Sequence, residues 1–303
     1  LAIAGAASGA ACGAAQAELI AEHKGAADKA MSRWTLFAAA GDVVTPLAVA
    51  ATLAAGVSYR GALVAIALAI ALQGAAVARR GGAGGEAAGE EDEPSAPLRE
   101  ALARGRNHGR LWAWLLGAAF CTLLDEIVAA LASLRLRADL GASEAWAAAC
   151  IAAFSAGSVA GAFATDRYVE RVAPRAILLG SAAACAASLA LVLLAPSPAL
   201  AAIALVPLGA SAAPHYALAK ARAYEAVPDR PGLVNAAAQA FVVLDLGAPL
   251  ALGLVADRWG LRAAIACLLA QPIVIFALTL LLERRREGAT GDERSPARSE
   301  EGP

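Results

Sequence analysis

The sequence predicts an all-α fold, a polytopic membrane helical bundle of about nine transmembrane helices. Of its 303 residues, 59% are hydrophobic and 17% are charged, and the mean hydropathy is +0.60. The apolar residues form blocks of about twenty, which is the length that an α-helix needs to cross a hydrocarbon core about 30 Å thick. This block length favours membrane helices over the buried core of a soluble protein.

Nine apolar blocks, separated by charged segments, define the predicted spans. They are residues 1–20, 34–56, 61–79, 110–133, 143–164, 174–195, 198–219, 232–255 and 262–282. Tyr216 and Tyr224 lie near the end of the seventh block, where an aromatic ring prefers the headgroup layer. The predicted regions are three spans, a cytoplasmic linker, six spans and a disordered tail, at residues 1–79, 80–109, 110–282 and 283–303.

The linker has two parts of different composition. Its first part is rich in Gly and Glu and is predicted to be flexible, and its second part is predicted to form a short basic helix on the membrane surface. The chain begins at Leu1 without a basic segment before its first apolar block, so the sequence shows no signal peptide and indicates that an upstream piece is missing.

Lys and Arg residues are distributed unequally between the two sets of predicted loops. The set that contains the linker and the tail carries all of the 25 except Arg60, Arg135, Arg137, Arg258 and Arg262. Because loops rich in Lys and Arg stay in the cytoplasm, we predict an integral membrane protein of a bacterial inner membrane with a cytoplasmic C-terminus. Every Lys and Arg falls in a predicted loop or at the edge of a span, so no fixed cation inside a span indicates a class of ligand.

Several classes of function find no support in the sequence. The net charge of −1 gives no indication of a nucleic-acid partner. The five cysteines lie in apolar blocks without a CxxC pair or a neighbouring His, so we predict no metal site and no cofactor. The glycine-rich stretch at residues 81–86 lacks the Lys-Ser/Thr of a phosphate-binding loop. We therefore expect a monomeric protein that is not an enzyme.

Two segments of the chain share one plan, which suggests an internal duplication. They are Phe37–Arg60 and Phe241–Arg262. In each, a lone Asp inside an apolar run is followed four residues later by a Pro, as Asp42 is by Pro46 and Asp245 by Pro249, and the run closes on a Gly followed by an Arg. Internal repeats of interrupted apolar helices are typical of secondary transporters, whose site lies where the repeats meet.

Acidic side chains inside predicted spans are the first candidates for a site, because a buried carboxylate is costly unless it faces water or a partner. They are Asp42, Asp125, Glu126 and Asp245, and Asn235 and Gln239 lie one to three turns from the last of them. We favour Asp125 over Glu126 for the cavity, because adjacent residues differ by about 100° around a helix. Such acids can carry protons across the membrane, or they can pair with a neighbouring helix for packing alone.

Prolines inside predicted spans mark a second group of candidates. Pro207 and Pro214 interrupt one span twice, and proline frees a backbone carbonyl and bends a helix. With Pro46 and Pro249, they are predicted to bend helices that move. His215 lies beside Pro214, where it is either a proton relay or an interfacial anchor.

Glycines at four-residue spacing predict close approaches between helices. Gly157 and Gly161 lie on one face of the fifth predicted span. In lipid, where hydrophobic attraction between helices is absent, small residues on one face let two backbones come together. We interpret this pair as a packing face.

Three spans before a long cytoplasmic loop and six after it resemble a Major Facilitator Superfamily transporter that lacks its first three helices. The gate motif of that family, roughly Gly-x-x-x-Asp-Arg-x-Gly-Arg-Arg, lies between the second and third helices of each half. The segment Gly161-Ala-Phe-Ala-Thr-Asp166-Arg167-Tyr-Val-Glu-Arg171 resembles it, with one additional residue before Asp166 and without the internal Gly. The resemblance implies a cytoplasmic gate loop formed by Gly161, Asp166, Arg167 and Arg171.

A second stretch matches the letters of this motif more closely. It is Gly253-Leu-Val-Ala-Asp257-Arg258-Trp-Gly260-Leu-Arg262. The predicted topology places it on the outer side of the membrane, so we interpret it as a turn that ends a helix at Gly260.

The family resemblance implies secondary active transport of a small molecule by alternating access. Its expected partners are the lipid bilayer, a small-molecule solute and protons, and export is slightly favoured over uptake. The alternative is a non-transporting membrane scaffold or assembly protein, whose intramembrane acids pair only structurally.

Overall fold

The structure is a computed structural model that describes residues 2–81 and 108–292, where helices are the regular elements present. The α-helices are α1 (Ala2–Glu22), α2 (Ala27–Ala54), α3 (Tyr59–Gly81), α4 (Gly109–Phe120), α5 (Val128–Ala138), α6 (Glu144–Tyr168), α7 (Pro174–Leu194), α8 (Pro198–Ala226), α9 (Pro231–Ala238), α10 (Val242–Trp259), α11 (Leu261–Cys267) and α12 (Ala270–Asp292). A π-helix, Leu123–Ile127, joins α4 to α5, and a 3-10 helix, Gln239–Phe241, joins α9 to α10. The predicted linker helix lies outside the described residues.

The predicted membrane helices correspond to continuous helical stretches of the structure. Six stretches are long and apolar enough to cross a membrane: Gly109–Ala138, Glu144–Tyr168, Pro174–Leu194, Pro198–Ala226, Pro231–Trp259 and Leu261–Glu283. A shorter apolar stretch, Leu63–Arg79, lies in α3. The all-helical membrane fold is confirmed, and the number of nine spans stays a prediction.

Helix α8 is the central element of the bundle and packs against α2, α4, α6 and α7. Its closest approach is to α6, where a Cβ atom added at Gly157 would overlap the carbonyl of Val206, and one added at Gly209 would overlap the carbonyl of Phe154. The backbones of α6 and α8 are therefore in direct contact. This confirms the packing face predicted from Gly157 and Gly161.

Two prolines lie inside α8, at Pro207 and Pro214, without interrupting the helix. Pro214 has no N–H for the carbonyl of Ala210, four residues earlier. Gly161 of α6 lies against that same carbonyl, which leaves no room for a side chain. The Ser211 hydroxyl donates to the carbonyl of Pro207 at 2.6 Å, so a polar side chain supports the backbone between the two prolines.

The stretch before the linker packs onto the stretch after it through two helices. Helix α2 lies against α6 and α8, and α1 lies against α9. Met31 of α2 is fully buried in the same apolar cluster as Trp114 of α4 and Tyr224 of α8. The boundary between the two stretches is thus a packed interface.

The two repeated segments end in the same way. Helix α2 stops at Ala54 before Gly56, and α10 stops at Trp259 before Gly260. Both glycines have positive φ angles, 78° and 86°, which side-chain-bearing residues rarely adopt. The N–H of Gly260 donates to the carbonyl of Ala256 at 2.8 Å, which confirms the helix-ending turn predicted there.

The predicted disordered tail requires a correction at its start. Helix α12 continues to Asp292 and does not end near residue 282. The residues after Leu282 include Glu283 and three arginines, which are good helix formers. Glu283 is also buried beside Arg222, at 3.5 Å, so the helix is anchored beyond its apolar part.

Candidate functional site

A cavity of about 210 Å³ lies between α1, from the stretch before the linker, and α4, α8, α9 and α10, from the stretch after it. Apolar side chains of Leu115, Phe241 and Val242 form part of its wall. The polar side chains that line it include Gln16, Thr122, Tyr216, Lys220, Asn235 and Gln239. A small solute with an apolar body and a few polar groups matches this lining.

Asp245 is the carboxylate that the structure brings to this cavity. The Thr122 hydroxyl, which lies between α4 and the π-helix, donates to Oδ1 of Asp245 at 2.8 Å. This hydrogen bond joins α10 to the Gly109–Ala138 stretch. Asn235 and Gln239, which the sequence grouped with Asp245, line the same cavity. The sequence-predicted group of three thus lies together.

A hydrogen-bond network ties α1 to the wall of the cavity. The Tyr224 hydroxyl donates to Oδ1 of Asn235 at 2.7 Å, and the Asn235 amide donates to the carbonyl of Gly13 at 2.6 Å. The Gln16 amide donates to the Tyr216 hydroxyl at 3.4 Å. Tyr224 is 1% exposed, so neighbouring side chains cover its ring. Its ring joins helices within the bundle.

Asp125 and Glu126 lie outside the cavity lining, in the π-helix Leu123–Ile127. Both side chains are exposed on the described chain. The N–H of Leu124 donates to Oε1 of Gln271 at 3.0 Å. A side chain from another helix therefore supports the backbone where the α-helix becomes a π-helix. Thr122, which lines the cavity, immediately precedes this turn.

Asp42 of α2 is also exposed and does not line the cavity. Of the two repeated acids, Asp245 accepts a hydrogen bond from Thr122 and lines the cavity, whereas Asp42 does neither. The backbone of α2 is helical at Pro46.

His215 is fully buried, which excludes an interfacial anchor. Its Nδ1 lies 3.2 Å from Nε2 of Gln271, the residue that also holds the backbone of Leu124. His215 is therefore joined to the π-helix through one glutamine, away from the cavity lining. In the described ranges, no three His, Cys, Asp or Glu side chains are grouped as metal ligands.

Lys220 is a cavity residue that the sequence analysis missed. Helix α8 continues to Ala226, beyond the predicted end of the span at residue 219, and Lys220 is 5% exposed within it. The prediction that every Lys and Arg lies in a loop or at a span edge is therefore wrong. The sequence carries the signal, because no Gly or Pro occurs between Pro214 and Pro228, and Tyr216, Lys220 and Tyr224 follow one another at four-residue spacing.

The predicted gate loop is joined to α2 by ion pairs. Asp166, at the end of α6, lies 3.2 Å from Nζ of Lys29 and 3.7 Å from Nε of Arg33. Lys29 also lies 3.7 Å from Glu170 and donates to the backbone carbonyl of Asp166. Arg167 and Arg171 are exposed, and Gly161 packs against the backbone of α8.

A second ion cluster lies near the same end of α8. Arg222, 6% exposed, pairs with Asp28 of α2 at 3.2 Å, Glu225 at 2.5 Å and Glu283 of α12 at 3.5 Å. Asp28 and Lys29 are adjacent, so the start of α2 contributes residues to both clusters. Two sets of charges thus fasten α2 to the helices that follow the linker.

Comparison with known proteins agrees with a polytopic helical membrane protein. The family model described as Major Facilitator Superfamily matches residues 1–244. A crystal structure of a Major Facilitator Superfamily transporter, FucP, in the outward conformation, is similar with a TM-score of 0.52 and 19% sequence identity. The match covers 63% of this chain and 47% of that one, so the chain spans about half the length of that transporter. A comparison with curated protein sequences found no match.

The chain belongs to the Major Facilitator Superfamily, because the family model matches most of its length. The fold and the family resemblance predicted from the sequence are confirmed. Membership also supports the prediction that the chain is an integral membrane protein and not an enzyme.

Proposed function

We propose that this chain forms part of a secondary active transporter, which moves a small molecule across the membrane by alternating access to the cavity. The observation that carries the proposal is the position of the cavity, whose lining comes from α1 on one side of the linker and from α4, α8, α9 and α10 on the other. Relative motion of the two stretches would open and close such a cavity. Export is slightly favoured over uptake, in a bacterial inner membrane with a cytoplasmic C-terminus.

The ion pairs at the start of α2 support a gate. Lys29 and Arg33 meet Asp166, and Asp28 meets Arg222, so breaking these contacts would free α2 from α6 and α8. The pairs of Lys29 and Arg33 with Asp166 are partly exposed and are each worth about 1 kcal/mol, which suits a contact that opens and closes. In this proposal they hold the cytoplasmic end closed, while Pro46, Pro207, Pro214 and Pro249 allow the helices to bend.

Cys12 provides a test of alternating access that needs no substrate. It is exposed and lines the cavity, whereas Cys121, Cys150 and Cys185 are buried. In the full-length protein with Cys267→Ser, a membrane-impermeant maleimide would be added to one face of the membrane at a time. We expect Cys12 to react from either face, with Asp166→Asn raising the rate from the cytoplasmic face and lowering it from the other.

A Cys12→Ser variant measures the background labelling in that experiment. The alternative function, a membrane scaffold or assembly protein, predicts a different pattern. Its cavity would stay open to one face at most, and Asp166→Asn would leave the labelling rates unchanged. That result would contradict the transport proposal.

Proton coupling is the finer part of the proposal and depends on Asp245, with Asp42, Asp125, Glu126 and His215 as further candidates. Asp245 faces the cavity and is held by Thr122, so its protonation would alter the charge of the solute's surroundings. In proteoliposomes of the full-length protein, we expect Asp245→Asn to abolish solute-driven proton movement across the membrane. Asp257→Asn, the same substitution at an exposed site on the same helix, is the matched control. Equal proton movement in both variants would contradict coupling through Asp245.

A further inference from the structure

The cavity contains a buried cation whose role the family membership does not assign. Lys220 lies on α8, is 5% exposed and lines the cavity. The face of the Tyr224 ring lies beneath its Nζ, at 5.5 Å from the ring centroid. A cation above an aromatic face gains about 1 kcal/mol or slightly more, which offsets only part of the cost of burying a charge.

Lys220 has no acidic partner within ion-pair distance among the described residues, although the buried Arg135 and Arg222 do. Arg222, two residues further along α8, pairs with three carboxylates. Two residues apart on a helix point about 200° from each other, so Arg222 faces the ion cluster while Lys220 faces the cavity. The fold neutralises one of these charges and leaves the other for the cavity.

The other polar groups of the cavity do not neutralise Lys220. Gln16, Tyr216 and Asn235 are uncharged. Gln16 already donates to Tyr216, and Asn235 already donates to the carbonyl of Gly13. Asp245 carries the opposite charge, but it lies beyond 4.0 Å from the Lys220 ammonium and accepts a hydrogen bond from Thr122. Asp245 is exposed, whereas Lys220 is 5% exposed. Among the described residues that line this cavity, the buried charge without an ion-pair partner is therefore the positive one.

We propose that Lys220 is the anion-binding residue of the cavity and that its ligand is a small organic carboxylate with an apolar body. The ammonium pairs with the carboxylate, and the wall formed by Leu115, Phe241 and Val242 packs against the rest of the ligand. Binding restores the counter-charge that the fold does not supply. The inference deepens the proposed transport function and rests on it for the statement that this ligand is the transported solute.

Three ligands of similar shape, one anionic, one neutral and one cationic, test the proposal. Benzoate, benzamide and benzamidinium share a ring, and their binding would be measured by calorimetry on the full-length protein in a neutral detergent at neutral pH. We expect benzoate to bind at least about tenfold more tightly than benzamide, as a charge-assisted hydrogen bond provides, and benzamidinium to bind most weakly. A preference for benzamidinium would instead assign the cavity to cations.

Lys220→Met should remove the preference for benzoate, and Lys220→Arg, which keeps the charge, should retain it. Lys24→Met is the matched control, because Lys24 is exposed in the turn between α1 and α2. The proposal is overturned if the unmodified protein does not bind benzoate more tightly than benzamide. It is equally overturned if Lys220→Met keeps the preference or if Lys24→Met loses it.

Cys12 gives a second measurement that does not depend on the choice of ligand. It lines the same cavity, so its reaction rates with anionic and cationic methanethiosulfonates of similar size report the charge of its surroundings. We expect Lys220→Met to lower the ratio of the anionic to the cationic rate about tenfold, and an unchanged ratio would contradict the proposal. Loss of carboxylate binding with Cys12 still reached from both faces would reject this inference alone, whereas access from one face alone would reject transport.

Discussion

Lys220 and Arg222 lie two residues apart on α8 and are almost equally buried, yet their surroundings differ. Arg222 is 6% exposed and pairs with carboxylates from α2, α8 and α12. Lys220 is 5% exposed, lines the cavity and has an aromatic ring beneath it. The difference shows how one helix can carry a charge that holds the bundle together and a charge that is available to a ligand.

Removing Arg222 should have the largest effect on this comparison. Arg222→Met removes the cation that Asp28 and Glu283 share, which for a buried ion pair costs about 3 kcal/mol. We expect a clear fall in the midpoint of thermal unfolding of the full-length protein in detergent. Lys220→Met leaves no carboxylate unpaired among the described residues and should not lower that midpoint. If both variants unfold at the same temperature, the two charges do not have the distinct roles described above.

The positions of Lys220 and Arg222 depend on the contact between α8 and α6. Gly209→Leu places a side chain against the carbonyl of Phe154 in α6, where the backbones touch. Overpacking of this kind costs about 2 kcal/mol and should displace α8, so both stability and the charge-dependent labelling of Cys12 should change. Gly180→Leu in α7 is the control, because nothing lies within 4 Å of a Cβ atom there. Equal behaviour of the two leucine variants would show that the contact between α6 and α8 does not position the cavity.

Lys29→Met should have a smaller effect. It compares Lys29, which forms ion pairs in the gate, with Lys220, which lines the cavity. Lys29 is 22% exposed and pairs with Asp166 and Glu170, so its ion pairs are worth about 1 kcal/mol. Lys29→Met should shift the labelling of Cys12 between the two membrane faces by about fivefold. It should leave the ratio of anionic to cationic labelling rates unchanged, because Lys29 is not part of the cavity lining. A changed ratio would mean that the gate charges also set the potential of the cavity.

The parts of the fold that depend on short sequence patterns could be predicted. The glycines at residues 157 and 161 predicted a close helix contact, because a missing side chain has a direct steric consequence. Gly260 predicted the end of a helix for a similar local reason. Asp245 with Asn235 and Gln239 could be grouped because they lie within a few turns of one another along one stretch of chain.

The parts that depend on distant contacts could not be predicted. The π-helix at Leu123–Ile127 is supported by Gln271, and the hydroxyl of the buried Tyr224 donates to Oε1 of Gln16 in α1 at 3.5 Å. In each case the deciding partner is far away in the sequence. Lys220 was placed in a loop because a charge near the end of an apolar block normally marks the end of a span.

The sequence by itself determined that the chain is a bundle of membrane helices, roughly which residues belong to each of them, and which pair of glycines lets two of them touch. These properties follow from hydropathy and backbone sterics, which act over one or two turns of helix. Only the tertiary structure decided which charges face each other and which one faces a cavity. Electrostatic compensation depends on distances across the bundle. The order of residues along α8 does not show that three carboxylates pair with Arg222 while none of the described carboxylates pairs with Lys220.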